Sequence, residues 1–397
     1  MKQFFRTIAA GLIAAILMSA LSFGGAYAAD KAAGENGLTG ENWMSGIPDE
    51  RYLCEINLPG THDSAAVYCR NSTDNEVRLF GRAVFHSGEY AKTQSLALSA
   101  QLNAGIRYLD LRFSEKQGEL LLCHGNNKKI AAVNGLFGFL RFFDRFLPEG
   151  ETTAFPDVDA EFYAYEDEAC TVRMTCGSAL SQIKDFLKAH PSETVIITAK
   201  KENGDTEAFL TLFKKQIDAL KTELNPATGQ AYLYTEDGSD VYTEMPVLAA
   251  VRGKIVLMTP FYGELEAGDT LDAGNGAGET DFMGTTFRYE NHWSVPSWLK
   301  TLYARRFLKK YSTEAIKDAG DSPAYANVLK TNASLILLQS PRTIAEKVNG
   351  SLYAGNCLTK GRYYGWIMGD FMTEEISSAI WQTNVFVSDR PQQAAEQ

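Results

Sequence analysis

Two histidines stand where short apolar runs give way to polar residues. His62 and Asp63 follow Leu58-Pro59-Gly60-Thr61, and His124 follows Leu120-Leu121-Leu122-Cys123. Tyr108-Leu109-Asp110-Leu111-Arg112 carries an acid and a guanidinium two residues apart. On a strand that spacing turns both side chains to one face. Lys200 follows Thr194 to Ala199, and Asp370 closes Gly365-Trp366-Ile367-Met368-Gly369. This set suits acid–base work on a phosphodiester. One histidine would take a proton from an attacking hydroxyl, and the other would give one to the leaving oxygen. An aspartate behind each ring would fix its tautomer. Arginine offers a planar fork to phosphate oxygens, and fixed positive charge stabilises the charge that develops on them. The competing reading of Leu58-Pro59-Gly60-Thr61-His62-Asp63-Ser64 is an ordinary Pro-Gly turn.

Elements that could position these groups recur along the chain. Short apolar runs are Tyr52 to Leu58, Ile106 to Phe113, Leu120 to Cys123, Thr194 to Ala199, Lys254 to Met258, Thr285 to Tyr289, Ser334 to Leu338 and Gly365 to Met368. Helical patterns include Leu96 to Ala104, Leu180 to His190, Thr206 to Leu224 and Trp298 to Ala319. Strands alternating with helices predict a parallel sheet covered by helices. Eight runs predict a closed α/β barrel of the TIM type, (β/α)8, as one domain. The ionisable residues collect at the C-terminal ends of the runs, the side where such barrels place their sites. Glu149 to Asp167 and Gly263 to Gly284 break the alternation and read as surface loops.

Lys2 and Arg6, the apolar stretch Ile8 to Phe23 and Ala26-Tyr27-Ala28 predict a cleaved secretory signal peptide over 1–28. A tail over 29–42, the barrel over 43–388 and a C-terminal tail over 389–397 would follow, and the product would be secreted. The formal charge is −11, and losing the two positive charges Lys2 and Arg6 makes it −13. That balance argues against nucleic-acid binding. Six cysteines survive cleavage. Export permits disulfides, and Cys170 with Cys176 could staple a loop. Cys54 and Cys123 read as buried apolar residues. No zinc-ligand spacing is present.

Leu58-Pro59-Gly60-Thr61-His62-Asp63-Ser64, Gly105-Ile106-Arg107-Tyr108-Leu109-Asp110-Leu111-Arg112 and Cys123-His124-Gly125 together resemble the X-domain of bacterial phosphatidylinositol-specific phospholipase C. Pro191-Ser192-Glu193-Thr194 leading to Lys200-Lys201-Glu202, Arg252-Gly253-Lys254-Ile255-Val256-Leu257 and Gly365-Trp366-Ile367-Met368-Gly369-Asp370-Phe371 are similar too. The resemblance runs from about Trp43 to Val385. It implies a distorted TIM barrel and a phosphatidylinositol diacylglycerol-lyase. It makes His62 the general base on the inositol 2-hydroxyl, oriented by Asp370. It makes His124 the general acid, with Asp110 behind it. Arg112 would bind phosphate, Asp63 would help hold the cluster, and Lys200 would line the inositol pocket. The products would be diacylglycerol and inositol 1,2-cyclic phosphate. Calcium-dependent relatives carry an asparagine after the first histidine and acidic ligands on the second strand. Asp63 and Arg112 in those places imply no metal and no cofactor. The partner implied is phosphatidylinositol or a glycosyl-phosphatidylinositol lipid, met by a monomer that associates transiently with a membrane surface.

The chain departs from the family after Leu257, where an arginine that contacts inositol is replaced by Met258-Thr259-Pro260. Arg288-Tyr289-Glu290-Asn291-His292-Trp293 is only loosely similar to the family's acidic and aromatic inositol platform. Glu290 would stand for the acid, and His292 or Trp293 for the stacking ring. Two alternatives follow: a barrel phosphodiesterase for another headgroup, such as a metal-dependent glycerophosphodiesterase, and a non-catalytic lipid- or glycan-binding barrel. His86 and His190 read as a solvated loop residue and a helix cap. The aromatic stretch Leu136 to Leu147 reads as a helix packed on the barrel, with an interfacial helix as its alternative.

Overall fold

The computed structural model describes residues 37–70, 76–79, 82–86, 91–125, 161–240, 242–258, 275–314, 323–335, 339–353 and 357–389. The signal-peptide stretch, Leu136 to Leu147 and Pro260 lie outside them. Strands in chain order begin with β1 (Leu58–Thr61), β2 (Cys69–Arg70), β3 (Glu76–Leu79), β4 (Arg82–His86) and β5 (Tyr108–Lys116). Next come β6 (Glu119–His124), β7 (Phe162–Ala164), β8 (Val195–Asn203), β9 (Ile255–Leu257) and β10 (Gly276–Phe282). The last are β11 (Thr285–Asn291), β12 (Thr313–Glu314), β13 (Tyr325–Lys330), β14 (Arg362–Tyr363) and β15 (Trp366–Gly369). The helices are α1 (Leu98–Asn103), α2 (Cys176–Ala189), α3 (Thr206–Thr222), α4 (Leu248–Val251), α5 (Ser297–Tyr311), α6 (Pro341–Tyr353) and α7 (Glu374–Trp381).

The wall of the fold is parallel and runs β9-β8-β5-β1-β15-β13-β11. β10 adds antiparallel to β11 at one edge. Among the described residues no ladder joins that edge to β9, so the described strands form a TIM-like wall with a seam between them. Helices cover its outer face. In α3, Phe209, Phe213, Ile217 and Leu220 are buried at helical spacing. Asp205 caps α3 by accepting from the Ala208 N–H at 2.9 Å.

The pleat sorts the wall into two faces. Leu109, Leu111, Phe113, Ile197, Ala199, Leu329 and Ile367 join the helix-facing core. Tyr108, Ile196, Val256, Phe287, Val328, Trp366 and Met368 join the inner core. Residues paired in register share a face, so period two carries the inner face upward to the strand ends. His62, Asp110, Arg112, Lys200, Glu202 and Asp370 all fall in the inner phase.

Several boundaries differ from the sequence reading. Pro59 and Gly60 lie within β1. Gly60 is needed there because a Cβ would come within 3.0 Å of Tyr108. Tyr52 to Ile56 is mostly a short 3-10 turn, Leu53–Glu55. Leu120 to Cys123 is no wall strand, because β6 folds back antiparallel on the far half of β5. Of the run expected at Ser334 to Leu338, residues 336–338 lie outside the described residues, and the wall strand in this part of the chain is β13, eight or so residues earlier. Asn327 and Lys330 interrupt the apolar run of β13 and disguise it. Gly276–Phe282, read as loop, is β10. His86 ends a strand of the β3–β4 hairpin. No disulfide joins the six cysteines. Cys176 is buried at the start of α2, and no disulfide links it to Cys170 in the turn before it.

Candidate active site

β1 ends at Thr61, and the chain then turns with Asp63 at φ +45°. Aspartate tolerates this left-handed backbone better than most residues. The turn is held from three sides. Ser64 N donates to the Asp110 carbonyl at 2.8 Å, and Thr93 Oγ1 donates to the Asp63 carbonyl at 3.0 Å. Gln94 Nε2 donates to the carbonyls of His62 at 2.7 Å and Gly369 at 3.0 Å. One amide thus ties the end of β1 to the end of β15, and with it His62 to Asp370.

His62 Nδ1 lies 2.8 Å from Asp370 Oδ1. Asp370 is 2% exposed. Burial, then the charge of Asp63, holds its carboxyl well above the usual carboxylate range. The pair is therefore disposed to hold a proton on the Nδ1–Oδ1 line, which leaves Nε2 to do chemistry. His124 ends β6 and points its ring edge-on at His62, with centroids 6.1 Å apart and planes at 87°. Its Nδ1 lies 2.7 Å from the Ala91 carbonyl. A carbonyl only accepts, so Nδ1 carries a proton. His124 Nε2 faces Asp63 Oδ2 at 3.2 Å, and His62 Nε2 is 3.6 Å from the same oxygen.

Asp110 is not behind His124. Its Oδ2 instead accepts from Arg112 Nε at 3.0 Å and Nη2 at 2.8 Å. Arg112 Nε also lies 3.1 Å from Asp63 Oδ1, and Nη1 donates to Glu202 Oε1 at 2.9 Å. Three carboxylates thus surround one guanidinium. That leaves one N–H on each terminal nitrogen of its five-donor fork among the described residues. Lys200 pairs in register with Arg112 on the same inner face.

Glu290 is turned away from this group. It pairs in register with Leu329, a helix-facing residue. Its Oε2 accepts from Lys300 Nζ of α5 at 2.8 Å, and its Oε1 from His292 at the ring (2.9 Å) and backbone (3.1 Å). Both oxygens are spent on a latch between β11 and α5, so Glu290 is not the free acid of a headgroup pocket. His292 stacks on Tyr303 at 4.2 Å, and Trp293 is an exposed loop residue whose N–H donates to Asn275 Oδ1 at 2.9 Å. Neither is brought into the histidine cluster.

No family model matches the chain. It is 26% identical over 225 residues to a 1-phosphatidylinositol phosphodiesterase of Listeria monocytogenes, covering 57% of this chain and 50% of that one. It is 22% identical over 384 residues to the Staphylococcus aureus protein of the same name, covering 94% of each. A solved structure of S. aureus phosphatidylinositol-specific phospholipase C superposes with a TM-score of 0.59 at 19% identity, over 88% of this chain and 98% of that one. The chain has the fold of the bacterial phosphatidylinositol-specific phospholipases C.

Within that phospholipase C fold, three contributors went unassigned in the sequence. Glu202 shares the period-two phase of Lys200, the same signal that joined Asp110 to Arg112. The Ala91 carbonyl has no side-chain signature. Gln94 lies in a stretch with no strand or helix pattern.

Electrostatics make the cluster pH-sensitive. Burial pushes the Asp63 carboxyl up to about 6, with Arg112 and His124 pulling down and Asp110 and Glu202 pushing further up. Asp110 is also buried, but Arg112 overrides burial and holds it well below the usual range. A carboxyl raised in the fold contributes stability fully below about pH 4 and loses it as pH rises through about 6. The urea midpoint of the wild type should therefore fall between pH 4 and 6.5 by more than that of Asp63→Asn. Parallel slopes would show that Asp63 ionises in the fold as it does in the unfolded chain.

Proposed function

We propose that the chain cleaves phosphatidylinositol to diacylglycerol and inositol 1,2-cyclic phosphate, without a metal. One observation carries this reading: His62 and His124 face each other with ring centroids 6.1 Å apart, with Asp63 beside both and Arg112 paired to Asp63. In the first step His62 Nε2 takes the proton of the 2-hydroxyl as its oxygen attacks phosphorus. Asp370 stabilises the imidazolium that forms. His124, protonated on both nitrogens, delivers its Nε2 proton to the diacylglycerol oxygen as the P–O bond breaks. Asp63 Oδ2, 3.2 Å from that nitrogen, holds the ring edge toward the reacting bond. The two open N–H groups of Arg112 meet the phosphate oxygens as their charge grows. The roles then reverse, and water attacks the cyclic ester with His124 as base.

The metal-free reading rests on where Arg112 sits. Its guanidinium already fills the space between Asp63, Asp110 and Glu202, the three acids that a cation would bridge. The protein would act as a secreted monomer, after loss of residues 1–28, on lipid at a membrane surface. Glycosyl-phosphatidylinositol lipids fit if the mouth admits a glycosylated inositol. Phosphatidylinositol in detergent micelles should be turned over at the same rate with and without excess EDTA. Loss of turnover with EDTA and recovery with calcium would transfer the role of Arg112 to a metal.

A further inference from the structure

The reading above leaves a charge imbalance. Asp63, Asp110, Glu202 and Asp370 place four carboxylates at the top of the inner face. Arg112, Lys200 and a protonated His124 offset three of them. A phosphodiester anion would then enter a negative site, and the arginine that relatives carry after the Leu257 run is absent here.

Lys330 supplies the missing charge from another strand. It is the last residue of β13 and is 5% exposed. It pairs in register with Met368, an inner-core residue two positions before Asp370. Its side chain therefore enters the barrel one layer beneath the histidines. Two strand residues rise about 6.6 Å, a height that a lysine stem spans. Its charge acts on Asp110 from below, and Lys300 of α5 is near enough to repel it. Lys300 is itself committed to Glu290. The charged groups around Lys330 are thus Asp110 from β5 and Lys300 with Glu290 behind it, and Asp370 follows two residues after its register partner Met368.

We infer that Lys330 is a further positioning residue, a floor cation that makes this site receptive to the anionic phosphate of the headgroup. It adds positive charge beneath Asp110, and through that charged layer acts on the two histidines above it. This rests on the phosphodiesterase reading.

The test compares Lys330→Met, Lys330→Gln and Lys330→Arg with wild type. Calorimetry reads binding of inositol 1-phosphate and of neutral myo-inositol, and turnover of phosphatidylinositol is followed from pH 5 to 8. The uncharged variants should bind inositol 1-phosphate about tenfold more weakly, from a charge lost at a partly screened distance. Their affinity for myo-inositol should stay within twofold. The acid limb of kcat/KM should move to higher pH, because ionised carboxylates lose a nearby cation. Lys330→Arg should restore both. A role confined to packing would move neither the limb nor the difference between the two ligands. If Lys330→Met does not fold, Lys330→Gln keeps an uncharged hydrogen-bonding tip on a shorter stem and is read the same way. Unchanged binding and an unmoved limb in a folded variant, with wild type active, would overturn the inference alone. An inactive wild type that still binds inositol 1-phosphate through Lys330 would overturn the reaction and keep the floor cation. An inactive wild type that binds neither ligand would overturn both.

Discussion

His62→Ala is expected to lower kcat on phosphatidylinositol by about three orders of magnitude, within the range for losing a general base. KM should change little, since the ring is placed for proton transfer. His124→Ala should lose as much on the natural substrate, yet differ in a way only its chemistry explains. From a nitrophenyl ester of inositol phosphate, nitrophenolate departs as a stable anion and needs no proton. His124→Ala should therefore recover most of its activity on that ester, while His62→Ala should not. The assignment follows from bonds already made. His62 Nδ1 is held by Asp370 Oδ1 at 2.8 Å, which suits a base that must become positive. His124 Nδ1 is held by the Ala91 carbonyl at 2.7 Å, while its Nε2 faces Asp63 at 3.2 Å. Equal rescue of both variants would remove the distinction between base and acid.

Arg112→Lys should lower kcat by about a hundredfold, comparable to removing a preorganised donor from a developing charge. Lysine keeps the charge and loses the fork. It cannot span Asp110 Oδ2, Glu202 Oε1 and Asp63 Oδ1, which lie at 2.8 to 3.1 Å from three nitrogens of one guanidinium. Arg112→Ala goes further, because it leaves buried carboxylates facing one another. Breaking one partner from a buried charged network costs about 3–5 kcal/mol. Urea denaturation should show that loss at pH 7 and a smaller one near pH 4, where Asp63 and its neighbours can take up protons. Full activity of Arg112→Lys would mean that a point charge suffices and that the fork is structural.

The ionisable layer was legible because it obeys one simple rule. Ionisable residues at strand ends, spaced by two, share the inner face. His62, Asp110, Arg112, Lys200 and Asp370 all follow it. The rule also exposes what misled the reading of β11. Glu290 falls in the phase of Leu329, so it belongs to the helix side, and its partner Lys300 lies on α5, out of reach of any local pattern. The pairing of Asp63 with Arg112 and with His124 depends on a left-handed turn at Asp63 that residue types alone do not dictate. β6 and β13 were misplaced for different reasons. A buried hairpin strand and a wall strand carry the same apolar run, and Lys330 breaks the pattern of β13 because its charge is wanted inside.

The central claim is that two facing histidines carry out an in-line transfer to the inositol 2-hydroxyl without a metal. Phosphorus NMR of the purified protein with phosphatidylinositol micelles and excess EDTA tests it most directly. The account expects the resonance of a five-membered cyclic phosphate to appear first, then to give way slowly to inositol 1-phosphate, with neither signal in His62→Ala. Direct appearance of inositol 1-phosphate with no cyclic ester, or of phosphatidic acid, would contradict it.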